Sequence, residues 1–123
     1  MIVLVVLGIL TAIAYPMYQS QATENRRSDG KKILLELMSE QQKFHADNGR
    51  YTLDLVGELG QVDAGSGKVE SNNKFYLVSA AICGAGVPIS DCVLLTATAQ
   101  LGQAGDGDLT YNSRNQKTPV EKW

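Results

Sequence analysis

Apolar residues crowd the start of the chain and then thin abruptly. Residues 1–14 are apolar apart from Gly8 and Thr11, and Tyr15-Pro16 closes the run. From Gln19 to Lys32 the chain turns polar, with Glu24, Arg26, Arg27, Asp29, Lys31 and Lys32. Ile33, Leu34, Leu37, Met38 and Phe44 then recur at helical spacing, with Gln41 in the intervening turn and Glu36, Glu40 and Lys43 elsewhere on the wheel. That periodicity predicts an amphipathic helix with one face for a core. Asn48-Gly49 predicts its end, because glycine readily takes the left-handed conformation that closes helices. A continuous helix from the N-terminus to Asn48 would be about 70 Å long at ~1.5 Å per residue. Gly8 lowers its local propensity, and Pro16, which removes the hydrogen bond to the carbonyl of Ala12, is expected to kink it.

Beyond Asn48 the pattern changes. Residues 50–73 read as loop, rich in Gly, Ser and Asn, with a short helical turn expected at Leu53–Leu59. Three stretches predict strands, Lys74–Ile82, Cys92–Gln100 and Asp108–Ser113; Phe75, Leu77 and Ser79 alternate with Tyr76, Val78 and Ala80 in the first, and Val93, Leu95 and Ala97 with Leu94, Thr96 and Thr98 in the second. The linkers Gly84–Asp91 and Leu101–Gly107 read as hairpin connections. The expected fold is therefore α+β: a long N-terminal helix, kinked at Pro16, packed on an antiparallel sheet of about three to four strands. It divides at residue 20, with a hydrophobic helix over residues 1–20 and a globular domain over residues 21–123.

Composition narrows the function classes. Apolar residues make up 44% and charged residues 20%, ordinary for a folded chain rather than a disordered one. The net charge of −2 argues against bulk non-specific nucleic-acid binding, which runs on phosphate neutralisation, but leaves room for a local basic patch. Cys83 and Cys92 fit neither a zinc knuckle nor a redox pair, and with one histidine in the chain a Cys/His metal site would lack ligands. They match a single structural disulfide in an oxidising compartment, at facing ends of the first hairpin. The alternative is a pair of free buried thiols in a cytosolic protein.

The apolar run is short for a membrane span, which takes about 20 residues, with roughly 17 as the lower limit. A secretory h-region would want a basic segment before it and a small-x-small site after it, and neither is present. A buried core helix is a second alternative. The reading we favour is that the chain begins partway into a longer hydrophobic segment. Burying its large aliphatic side chains contributes about 1.5–3 kcal/mol each, enough to hold it in a bilayer or in a packed helical core. Gly8, Ala12 and Ala14 leave room for close helix approach.

The order of parts, with these residues, resembles the type IV pilin family. MIVLVVLGILTAIAYPMYQ is similar to the pilin N-terminal helix just after its processing motif, and Gly8 and Pro16 match the Gly and Pro between which that helix loses order in filaments. The likeness continues through Arg26-Arg27-Ser28-Asp29, Asn48-Gly49-Arg50-Tyr51-Thr52, Leu95-Thr96-Ala97-Thr98-Ala99, Leu109-Thr110-Tyr111-Asn112-Ser113, Lys117-Thr118-Pro119 and Trp123. The later motifs resemble the minor-pilin subgroup that supports pilus assembly, which also contains the DNA-receptor pilins of competence systems. The chain departs from the family in lacking the Phe-Thr-Leu-Ile-Glu-Leu string, so neither an N-methylated Phe nor the paired Glu falls on any residue. It also has Glu121-Lys122 where the subgroup often places a cysteine before the terminal Trp.

The resemblance implies a structural subunit of a type IV pilus, most akin to a minor pilin acting in pilus assembly and in motility, adhesion or DNA uptake. Its implied partners are other pilin subunits, the inner membrane before assembly, the assembly machinery, prepilin peptidase and, in competence pilins, DNA. Ile2, Val3, Leu4, Val5, Val6, Leu7, Ile9, Leu10 and Ile13 would form the membrane and filament face, with Gly8 and Pro16 supplying flexibility. Arg26, Arg27, Lys31 and Lys32 are candidate contacts with DNA or neighbouring subunits. By the positive-inside rule they would also hold their segment in the cytoplasm; the basic leader that the resemblance implies, and the cysteine pair, favour export. The alternatives are a type II secretion pseudopilin, a competence pilin that binds DNA directly, and an exported tethered enzyme. No nucleophile motif accompanies His45, which is read as a solvated surface residue. Asp106-Gly107-Asp108 with Asn112 lacks the Gly and Glu of a calcium loop and is read as an ordinary turn. No catalytic, metal or cofactor site is expected.

Overall fold

The computed structural model describes residues 2–123, the side chains of residues 13–20 and 101 excepted. One helix, α1 (Ile2–Asn48), leads into a five-stranded antiparallel sheet: β1 (Val69–Glu70), β2 (Tyr76–Ile82), β3 (Val93–Ala99), β4 (Leu109–Asn112) and β5 (Lys117–Thr118). The strands lie in chain order, as a meander. Tyr76 faces Ala99, Val78 faces Ala97 and Leu95 faces Tyr111, so alternate residues share one face. α1 is assigned without a break through Pro16, where a kink was expected, and the side chains of Ile13 and Pro16 lie outside that description.

The core forms where this face meets the second half of α1. Ile33, Leu34, Leu37 and Met38 are buried on the helix, against Tyr76, Val78, Val93, Leu95, Ala97, Leu109 and Tyr111 on the sheet. Gln41 is fully buried in the same helical row. It donates through Nε2 to the Thr52 carbonyl at 2.7 Å and accepts the Thr52 N–H at 2.9 Å. A polar side chain in the core thus satisfies both backbone groups of the loop that follows the helix. Gly49, at φ 74°, makes the stop at the helix end.

Two differences from the expected fold have physical causes. The sheet has five strands because two edge strands of two residues each, β1 and β5, pair with longer neighbours. Strands that short carry no readable alternation. The linker after β3 holds a 3-10 helix, Leu101–Asp106, rather than a plain hairpin loop. The short helical turn expected at Leu53–Leu59 is present as hydrogen-bonded turns over residues 55–59, with the Glu58 N–H donating to the Asp54 carbonyl at 3.3 Å and the Gly60 N–H to the Val56 carbonyl at 3.1 Å. The loop is fastened by Leu55, which is 1% exposed, and by the pull of Arg50 and Thr52 on Glu58.

Cys83 and Cys92 form a disulfide across the β2–β3 connection, with Cα atoms 5.8 Å apart. That hairpin loop docks on the end of α1: His45 Nε2 lies 3.0 Å from the Ser90 carbonyl, and the Tyr51 N–H donates to the Ile89 carbonyl at 3.2 Å. His45 is therefore half-buried against Tyr51, with ring centroids 4.4 Å apart, rather than solvated.

Candidate functional site

The polar first half of the globular helix meets three segments at one end of the sheet: the turn before β2, the 3-10 helix, and the C-terminal residues 119–123. Four basic residues on two helical turns go to four different places. Arg27 forms a fork with Asp106, Nε to Oδ2 at 2.9 Å and Nη2 to Oδ1 at 2.7 Å, with both side chains less than a fifth exposed. Such a planar two-point pair is stronger than a single charged contact. It raises the Arg27 pKa and holds the Asp106 carboxyl below the usual carboxylate range, against the opposing effect of burial. Lys122 Nζ also reaches Asp106, 3.5 Å from Oδ1 and in contact with its backbone carbonyl. Asp106 is thus the joint between helix, 3-10 helix and C-terminus.

Gln103 completes the joint. Its Nε2 lies 3.2 Å from the Thr23 carbonyl, 3.1 Å from the Tyr76 hydroxyl and 3.0 Å from Asp106. Burial pushes the Tyr76 phenol up from its ordinary pKa. Asp29, also buried, accepts the Asn73 N–H and pins the turn before β2 to the helix.

Arg26 lies over the Phe75 ring, 4.9 Å from its centroid. Lys32 is exposed and pairs loosely with Glu36 at 3.9 Å. Lys31 behaves differently: its ammonium sits 5.9 Å from the ring centroid of Trp123, and that of Lys117 sits 5.1 Å from the same ring. Tyr111 packs against the indole at 5.8 Å, and the indole N–H donates to the Thr118 carbonyl at 3.2 Å. Cation–π contacts at exposed sites are worth only about 0.5–1 kcal/mol, so they orient an ammonium without consuming it. Beside this cluster lies a shallow cleft of about 300 Å³ lined by Arg27, Ser28, Lys31, Lys122 and Trp123, together with Glu24 and Glu121.

The four helix cations are therefore not one patch. Arg27 is committed inside the fold and Arg26 to an aromatic ring, while Lys31 joins a second basic residue that sequence alone could not bring near it. Lys117 and Trp123 stand 86 and 92 positions from Lys31 along the chain. The hint in the sequence was a Lys and a Trp flanking Pro119. Among the described residues, no group of His, Cys, Asp and Glu is placed to hold a metal ion.

At the other end of the molecule, Ile2, Val3, Leu4, Val5, Val6, Leu7, Ile9 and Leu10 are exposed, from 48% at Val6 to 80% at Ile2. Nothing among the described residues covers them, a contiguous apolar surface of the kind that marks an interaction site. Among the described residues no helix is long and apolar enough to cross a membrane.

Residues 16–110 match a family model described as type IV minor pilin ComP, DNA uptake sequence receptor. Among solved structures, a type IV pilin from Shewanella oneidensis matches with a TM-score of 0.56 at 18% identity, covering 80% of this chain and 92% of that one. At that identity the likeness speaks for the fold: a long helix leading into an antiparallel sheet. No curated protein matches the chain significantly by sequence.

Proposed function

Because the chain belongs to the family of type IV minor pilin ComP, DNA uptake sequence receptor, we propose that it is a pilus subunit that captures DNA for uptake. Residues 1–20 hold it in the inner membrane before assembly and then pack among other pilin subunits in the filament. Residues 21–123 form the displayed globule. Prepilin peptidase and the pilus assembly machinery are its processing and assembly partners. It acts by assembly and binding, with no bond chemistry of its own.

The observation that carries this reading is the family match across residues 16–110, which takes in both the amphipathic part of α1 and most of the sheet. The exposed apolar stretch agrees with it. Such a surface is stable only in lipid or against other apolar helices, and a filament core exchanges one setting for the other at small cost. The test is deletion of the gene, with uptake of labelled duplex DNA and the number of surface fibres counted in the same cells. Loss of uptake with fibres retained is expected. Unchanged uptake would contradict the receptor role, and a secretion defect in its place would point to a pseudopilin.

A further inference from the structure

We propose that Lys31, Lys117 and Trp123 form a DNA-contact cluster, in which the two ammoniums bind strand phosphates and the indole packs against the sugar or base edge between them. The inference rests on the receptor reading and assigns that role to particular side chains. Three observations carry it.

First, the fold divides the cations by availability. Arg27 and Lys122 share the carboxylate of Asp106, the last residue of the 3-10 helix. Lys31 and Lys117 are in no ion pair among the described residues, and both are held over one ring. A phosphate can take an ammonium from a ring at far lower cost than from a carboxylate. Second, the ring is held in place. Tyr111 supports it, the Thr118 carbonyl accepts its N–H, and the Thr118 side chain is itself bonded to Thr110 on the neighbouring strand. An aromatic ring fixed between cations is the pairing that nucleic-acid surfaces use, charge for the backbone and a flat apolar face for sugar or base. Third, the cluster continues along the β5 edge. Exposed Arg114, in the turn between β4 and β5, supplies a further cation close in sequence to Lys117. Glu24 and Glu121 stand on the far side of the cleft that Lys31 and Trp123 also line and repel phosphate there, so the strand is directed from Lys31 and Trp123 toward Lys117 and β5.

The test uses the full chain in detergent solution with sheared duplex genomic DNA from the parent organism. Trp123 is the sole tryptophan, so tryptophan emission reports on this cluster. Binding is expected to change that emission. K31Q/K117Q is expected to weaken binding roughly tenfold at moderate salt and to lower the slope of log affinity against log salt by about 2, one for each lost phosphate contact. The charge-conserving K31R/K117R should restore both, and matched thermal melts would exclude a folding defect. DNA binding with unchanged emission, and with K31Q/K117Q equal to the parent in affinity and salt slope, would overturn the cluster and leave the receptor reading standing. No binding by the parent chain would overturn the receptor reading and the cluster with it.

Discussion

Gly30 lies inside α1, where glycine is normally a loss of about 1 kcal/mol relative to alanine. A Cβ there would sit 2.8 Å from two ring carbons of Tyr76, whose side chain is fully buried and cannot swing aside. The contact outweighs the propensity gain: G30A should destabilise by about 1–3 kcal/mol, as overpacking does, in a denaturant melt. Gln41 argues the opposite case, a polar residue the core cannot lose. Q41L keeps the volume but strands the Thr52 N–H and carbonyl, and should cost about 1–3 kcal/mol by the same measurement. Asp106 sets the acid limit of the joint. Its folded pKa lies below the ordinary value of about 3.9. Its stabilisation is therefore complete above that value and lost as pH falls through it toward the folded pKa. Melting temperature should drop below about pH 4 in the parent and less steeply in D106N, which starts lower because Arg27 is left unpaired.

Elements differ in how much of themselves they reveal. The helix face Ile33, Leu34, Leu37 and Met38 was readable from spacing alone, and β3 from its strict alternation of buried and half-buried residues, while β2 and β4 were readable from their β-favouring residues between Gly-rich linkers. β1 and β5 were not, since two residues hold no period and their pairing depends on a neighbour already in place. The 3-10 helix was hidden by Gly102 and Gly105, which signal a turn without specifying its hydrogen bonds. The candidate site was less legible still. Arg26, Arg27, Lys31 and Lys32 look equivalent in sequence, and only Asp106, Phe75 and Trp123 tell them apart. The Cys83–Cys92 link closes the β2–β3 connection over a separation of 9 residues. Replacing both cysteines by serine should cost about 2–3 kcal/mol on the chain-entropy model, measured by denaturation with and without reductant. The loss should fall first on the loop that docks on His45 and Tyr51, where hydrogen exchange would rise.

At the scale of the whole molecule, two surfaces of unlike chemistry stand apart along one helix. The apolar side chains from Ile2 to Leu10 are left exposed by the described residues, while the globule buries a core of its own and carries Lys31, Lys117 and Trp123 at the sheet's edge. That separation is what a filament subunit with a binding surface requires: one end to be buried among copies, the other left free. The most direct measurement is mass spectrometry of surface fibres sheared from cells grown for DNA uptake. The account predicts this chain in the fibres, below the abundance of the main subunit, with Cys83 and Cys92 oxidised. Its absence from fibres, with all of it retained in the cells, would contradict it.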